Sequence, residues 1–177
     1  MPDTGFFNPQ ELQQLIGIQE GMHVADFGSG SGEIAVMLAR IVGPDGIITA
    51  IDVLPSAIES IQARTKHENL QNLHVVRADL EVPGSSRLPD ASQDVVYLAN
   101  ILWQSPKKKE ILMEAARVLK PGGVLAAVEW NQTQGIGPPQ EARVSQAMLE
   151  ELIQSIGLAT GGSFPAGAYH YGLIAKK

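Results

Sequence analysis

The stretch Val24-Ala25-Asp26-Phe27-Gly28-Ser29-Gly30-Ser31-Gly32-Glu33 decides how the rest of the chain is read. His23 to Phe27 is a short apolar run holding one carboxylate, and it reads as a buried strand. Ile34 to Ile41, with its Ala, Met, Leu and Arg, reads as a helix. Between them stand three glycines at alternate positions. Such a turn lets the backbone approach a ligand closely and aims the helix's free N–H groups at it. The implied ligand is nucleotide-like. The dinucleotide fingerprint G-x-G-x-x-G/A needs Gly or Ala at its last position, so that helix and strand pack closely. Here that position is Glu33, and the third glycine comes one residue early, at Gly32.

Working outward, residues 8–17 read as a short leading helix, with Asn8 as N-cap, Pro9 at the first helical position and Gly17 as the stop. Beyond the glycine turn and its helix, Gly43-Pro44-Asp45-Gly46 forms a turn. The strand Ile47–Ile51 then ends on Asp52, and Ser56 caps a helix running to Glu68. Leu73–Arg77 is the third strand, followed by Ala78-Asp79-Leu80, and residues 81–92 are a loop rich in Pro, Gly and Ser. The fourth strand covers Asp94–Ala99. Ser105-Pro106 opens a helix through Leu119, which Pro121-Gly122-Gly123 stops before the fifth strand, Val124–Trp130. A polar loop over Asn131–Pro139 leads to a helix at Ser145–Ser155, and two strands near 158–164 and 169–175 close the chain.

Strand and helix alternate at spacings that demand parallel pairing, so the fold class is a doubly wound α/β sheet. The last two strands are joined by only Pro165 to Ala168, which requires an antiparallel hairpin at one edge. The chain reads as one domain over 1–177: a short helical segment at 1–20, a binding core at 21–130, and a C-terminal helix and hairpin at 131–177.

Composition narrows the function classes. A length of 177 residues with 44% hydrophobic content suits a single globular core. No apolar run approaches the roughly 18 residues that span a bilayer, and Met1–Gly5 lacks the start of a signal peptide. The expectation is a cytoplasmic protein without membrane insertion. With no cysteine there is no disulfide, thiolate site or cysteine nucleophile. Four scattered histidines without an H-x-x-x-H pair argue against a protein-held metal. A net charge of −6 disfavours a nucleic-acid partner.

Two carboxylates stand out on physical grounds. Asp52 ends the second strand 24 residues after Gly28, where an acid accepts the hydrogen bonds of ribose hydroxyls. Asp26 lies within a buried strand, and an unpartnered carboxylate there costs several kcal/mol, so a network or a function must offset it. Lys107, Lys108 and Lys109 fall in a helix's first turn, which disfavours cations, and read as solvated. His170, between Tyr169 and Tyr171, reads as packing or surface.

The D-x-G-x-G-x-G run from Asp26 to Gly32, Asp52, Asp79 and the Leu119-Lys120-Pro121-Gly122-Gly123 signature occur in an order that resembles the class I S-adenosylmethionine-dependent methyltransferases. Within these the chain is most similar to the methyltransferase type 11 group, and more distantly to the ubiquinone/menaquinone C-methyltransferases. The resemblance implies a seven-stranded sheet in the order 3-2-1-4-5-7-6, with helices on both faces and an antiparallel C-terminal hairpin. It implies S-adenosylmethionine as cofactor and S-adenosylhomocysteine as product, with in-line displacement at the sulfonium methyl and no required general base. The implied cofactor site holds Asp26, Gly28, Ser29, Gly30, Gly32, Asp52, Val53, Leu54, Asp79, Leu80 and Asn100. Asn100, Glu129 and Trp103 are the candidate catalytic residues, and Gln104 joins Trp103 in walling the acceptor pocket.

The Asn100-Ile101-Leu102-Trp103 run lacks the prolines of the nitrogen-directed families, and the absence of cysteine excludes arsenite chemistry. The acceptor is unassigned, with a small molecule favoured, and a homodimer is left open. A non-catalytic cofactor-binding subunit is the rival reading. An NAD-dependent oxidoreductase is a third, weakened by Glu33.

Overall fold

The computed structural model describes residues 9–132 and 136–177. The parallel core consists of β1 (His23–Phe27), β2 (Ile47–Asp52), β3 (Leu73–Arg77), β4 (Gln93–Ala99) and β5 (Leu119–Trp130). A hairpin of β6 (Ala159–Ala166) and β7 (His170–Lys176) follows. The strands form one sheet in the order β3-β2-β1-β4-β5-β7-β6. All pairs up to β4·β5 are parallel, and β5·β7 and β6·β7 are antiparallel. This is the expected topology.

Period-two alternation in the strands splits the core between the two faces. Val24, Ile48, Ala50 and Val95 pack beneath α1 (Pro9–Ile16), α2 (Glu33–Val42) and α3 (Pro55–His67). Ala25, Phe27, Ile51, Val96 and Leu98 pack beneath α4 (Lys108–Val118) and α5 (Gln146–Ser155). Burial on both faces explains why these strands are nearly continuous apolar runs. No helix among the described residues is long and apolar enough to cross a membrane.

Several local expectations are corrected. Helix α3 starts at Pro55, so Ser56 lies inside its first turn; Leu54 precedes it without a side-chain cap. The helix expected from Ser105 begins instead at Lys108, after a separate 3-10 turn at Leu102–Gln104. Ser105 is extended, the conformation that the following Pro106 favours. Pro121-Gly122-Gly123 does not stop α4, which ends at Val118; these residues form an irregularity inside β5, between its pairings with Gln93 and Val95. The final hairpin turns at 167–169 where 165–168 was expected, because β6 runs on through Pro165 and Ala166. At α5 the expected cap is present, with Ser145 Oγ accepting the Met148 N–H. Asn8 falls outside the described residues.

Candidate functional site

The carboxyl ends of β1, β2, β3 and β4 open on a cleft of about 410 Å³, the place where doubly wound sheets bind ligands. Its floor is the glycine turn. Gly28 and Gly30 line the cleft, and Gly28, Gly30 and Gly32 all have positive φ, a region open mainly to glycine. A Cβ on Gly30 would meet nothing within 4 Å, so its bare face is turned to open space. Gly32 plays a different part, because a Cβ there would come within 2.8 Å of Ile61; this glycine lets α2 and α3 pack. The turn is stitched to β2, because the Gly28 and Ser29 N–H groups both donate to Ile51 O. Ser29 Oγ donates to Asp26 O and accepts the Ile51 N–H, so its hydroxyl braces two strands behind the cleft wall.

Asp52 joins the turn to the next element. Its Oδ2 accepts the Gly30 N–H and its Oδ1 the Leu54 N–H, each at 2.9 Å. One carboxylate therefore holds the turn and still faces the cleft with its remaining lone pairs. Val53 and Leu54 line the cleft and are 50% and 58% exposed, so their apolar side chains are open to contact with a ligand. Asp79 and Leu80 line the cleft beside them, at the end of the neighbouring strand β3; Asp79 Oδ1 accepts the Glu81 N–H, which shapes the turn after β3.

Asp26 is buried beneath the turn rather than in the cleft wall, and its Oδ2 makes no hydrogen bond among the described residues. Burial, with Asp52's charge nearby adding to it, pushes its carboxyl up to about 7.

Asn100 closes the cleft at the end of β4, in a left-handed conformation at φ 56°. Its Nδ2 lies 3.1 Å from Nε2 of His170, a buried residue at the start of β7 whose ring packs 4.1 Å from Trp130. Burial holds the His170 pKa below its ordinary value, with the positive charge of Arg143 acting in the same direction. Glu129 and Trp103, the other catalytic candidates, do not line the cleft. Glu129 is fully buried, with Oε1 accepting the Leu102 N–H at 2.8 Å, and burial pushes it up to about 7. Trp103 is half-buried against the core. Gln104, in contrast, does line the cleft.

The sequence reading missed Ile101 and Ile111 on the apolar wall, and Glu81 and Ser105 at the mouth. Ser105 Oγ donates to Glu81 Oε1 at 2.6 Å, tying the loop after β3 to the segment before α4. Lys107 Nζ lies 3.9 Å from Glu81, and Lys108 Nζ donates to Ser105 O, so two of the three lysines serve this junction and are not simply solvated. Ser105 stands 24 residues from Glu81, and no spacing rule links them.

A family described as a methyltransferase domain matches residues 18–160. The chain belongs to this methyltransferase family. Its fold is that of the class I, S-adenosylmethionine-dependent methyltransferases. A crystal structure of an S-adenosylmethionine-dependent methyltransferase from Aquifex aeolicus superposes with a TM-score of 0.89 and 27% identity, covering 99% of this chain and 93% of that one. The demethylmenaquinone methyltransferase of Listeria welshimeri is 31% identical over 124 residues, which is 70% of this chain and 51% of that protein. A ubiquinone/menaquinone biosynthesis C-methyltransferase of Pseudomonas entomophila is 32% identical over 67% of this chain and 46% of its own length. The methyltransferase chain thus spans about half the length of the curated relatives it matches.

The residues present fit S-adenosylmethionine. A bare glycine face, a strand-end carboxylate, exposed apolar flanks and a second acid at the end of the neighbouring strand suit an amino-acid nucleoside.

Proposed function

We propose that the chain binds S-adenosylmethionine in the cleft at the ends of β1–β4 and transfers its methyl group to a small organic acceptor. The observation that carries this reading is the pairing of Gly30 with Asp52. The glycine turns a side-chain-free face to the cleft, while the carboxylate bonded to its N–H faces the same space. In this reading Asp52 accepts the ribose hydroxyls, Asp79 receives the adenine amino group, and Val53, Leu54 and Leu80 flank the adenine plane. Gly28 and Gly30 admit the methionine portion, with Asn100 at the methyl end. Asp26, Ser29 and Gly32 set the turn without touching the ligand.

The bound cofactor supplies an already activated sulfonium methyl. The protein's own contribution is alignment and exclusion of water. The names of the curated relatives, which act in menaquinone and ubiquinone biosynthesis, support a small acceptor.

Thermal unfolding with and without ligand tests the cofactor, because a ligand of the native state raises the melting temperature by mass action. S-adenosylmethionine and S-adenosylhomocysteine are expected to raise it, and NAD is not. A response to NAD alone would overturn the reading. Transfer of a labelled methyl group to a metabolite pool then tests catalysis; binding without transfer favours the non-catalytic alternative.

A further inference from the structure

Glu129 is the penultimate residue of β5 and is fully buried on the face covered by α4 and α5. Its Oε1 accepts the N–H of Leu102, the first residue of the 3-10 turn that follows β4. The opening N–H groups of such a turn have no partner inside it, so this bond is the attachment of the turn's start to the sheet. What the turn carries is the cleft wall: Ile101, Gln104 and Ser105 all line it. Two more bonds keep the segment in shape, from Gln104 Nε2 to Asn100 O at 2.6 Å and from the Ser105 N–H to Leu102 O at 3.1 Å. Both are internal to the segment. The attachments to β5 are the Asn100 N–H to Val128 O, at 2.9 Å, and Glu129.

A base must reach the proton that it removes. Glu129 has one oxygen committed to Leu102 and no surface in the cleft. Its Oε2 makes no hydrogen bond among the described residues, and burial outweighs the backbone N–H groups of Leu102, Trp103 and Ile101 and the Lys108 charge, all of which favour the carboxylate. We propose that Glu129 is a positioning residue and not a base: it fixes the acceptor-side wall of the cleft, residues 101–105, by hydrogen-bond acceptance alone. The inference rests on the methyltransferase reading for the identity of the ligand.

Two variants separate acceptance from charge. Glu129→Gln keeps an acceptor oxygen opposite Leu102 and places its NH₂ where Oε2 already stands unpartnered. Glu129→Leu has similar bulk and accepts nothing. The probe is S-adenosylhomocysteine titrated calorimetrically, beside amide exchange over residues 101–105 and a denaturation curve for each protein. The Gln variant is expected to bind within about threefold of the unaltered protein, with the Leu102 amide still protected. The Leu variant, losing one hydrogen bond behind the wall, is expected to bind about tenfold more weakly and to exchange faster at 102–105 than its change in global stability explains. Should Glu129→Leu fail to fold, protection of the Leu102 amide in the Gln variant decides alone. Loss of that protection, or Gln binding as poorly as Leu, overturns the inference; so does a folded Leu variant that binds normally. Failure of the unaltered protein to bind S-adenosylhomocysteine would instead count against the cofactor reading.

Discussion

The two ends of the cleft are built differently. At the end formed by β1, β2 and β3, the wall is made by residues of three strand-end turns: Gly28 with Gly30, Asp52–Leu54 and Ala78–Glu81. The backbone of the glycine turn is held by its near neighbours in the sheet, Ile51 and Asp52. At the end formed by β4, β5 and β7, the contacts reach farther along the chain, from 27 positions between Leu102 and Glu129 to 70 between Asn100 and His170, against 22 between Gly30 and Asp52. That second end also holds three buried polar atoms without a hydrogen bond among the described residues, on Asn100, Trp103 and Glu129. The first end is a preformed cradle whose geometry the backbone dictates. The second is a polar junction whose geometry depends on packing. The lesson is that two strand-end acids hold backbone in different settings: Asp52 fixes a turn and still faces the cleft, whereas Glu129 fixes a turn from inside the core.

The largest expected effect tests glycine on the packing side. A Cβ on Gly172 would come 2.1 Å from the Phe164 ring, its cross-strand partner between β6 and β7. Gly172→Val should therefore cost about 3 kcal/mol of stability in urea denaturation, with cofactor affinity unchanged in the folded fraction. Affinity lost alongside stability would break the division between the two ends.

Asp52→Ala comes next and sharpens the cradle. An exposed strand-end acid would cost the fold little, but Asp52 is buried and accepts two backbone N–H bonds. Stability should fall by about 2 kcal/mol in addition to the loss of S-adenosylhomocysteine binding seen by calorimetry. An unchanged affinity would move the ribose site elsewhere.

The third concerns pH. Burial raises Asp26 from 3.8 to about 7, so the folded form binds its proton more tightly than the unfolded chain does. Its contribution to stability is complete below about pH 4 and is lost as pH rises toward and through 7. Glu129, raised to about 7, acts with the same sign. Glu114 titrates near 2, since the Arg117 and Ser86 hydrogen bonds outweigh its burial, and contributes nothing in this window. The unliganded protein should therefore lose stability from pH 5 to 8, and Asp26→Asn should reduce that loss by about 2 to 3 kcal/mol. An unaltered slope in denaturation curves across the range would mean that Asp26 is ionised throughout.

The smallest change in stability belongs to Gly30→Ala. Only the positive φ is penalised, since the added Cβ meets nothing, so the fold should lose about 1 kcal/mol. S-adenosylhomocysteine binding should weaken at least about tenfold, because the methyl enters the cleft. Normal binding by this variant would remove the glycine turn from the site.

The family resemblance implied the strand order; by itself the sequence determined the parallel core, the antiparallel closing hairpin and the glycine turn with its strand-end acid. Each depends on relations short along the chain: apolar runs of strand length, the glycine spacing, and an acid placed directly after a strand. Even so, Ser29 and Gly32 carry the motif without lining the cleft, because the motif encodes the turn's own support as well as its ligand face. Only the tertiary structure decided the other end. Asn100 meets His170, and Glu129 holds the turn at Leu102, because the β4·β5 and β5·β7 registers bring these strand ends together. The break between the 3-10 turn and α4, and the run of Pro121, Gly122 and Gly123 inside β5, were settled in the same way. Proline and glycine mark where a helix ends, but pairing with β4 and β7 decides that the chain there is already a strand.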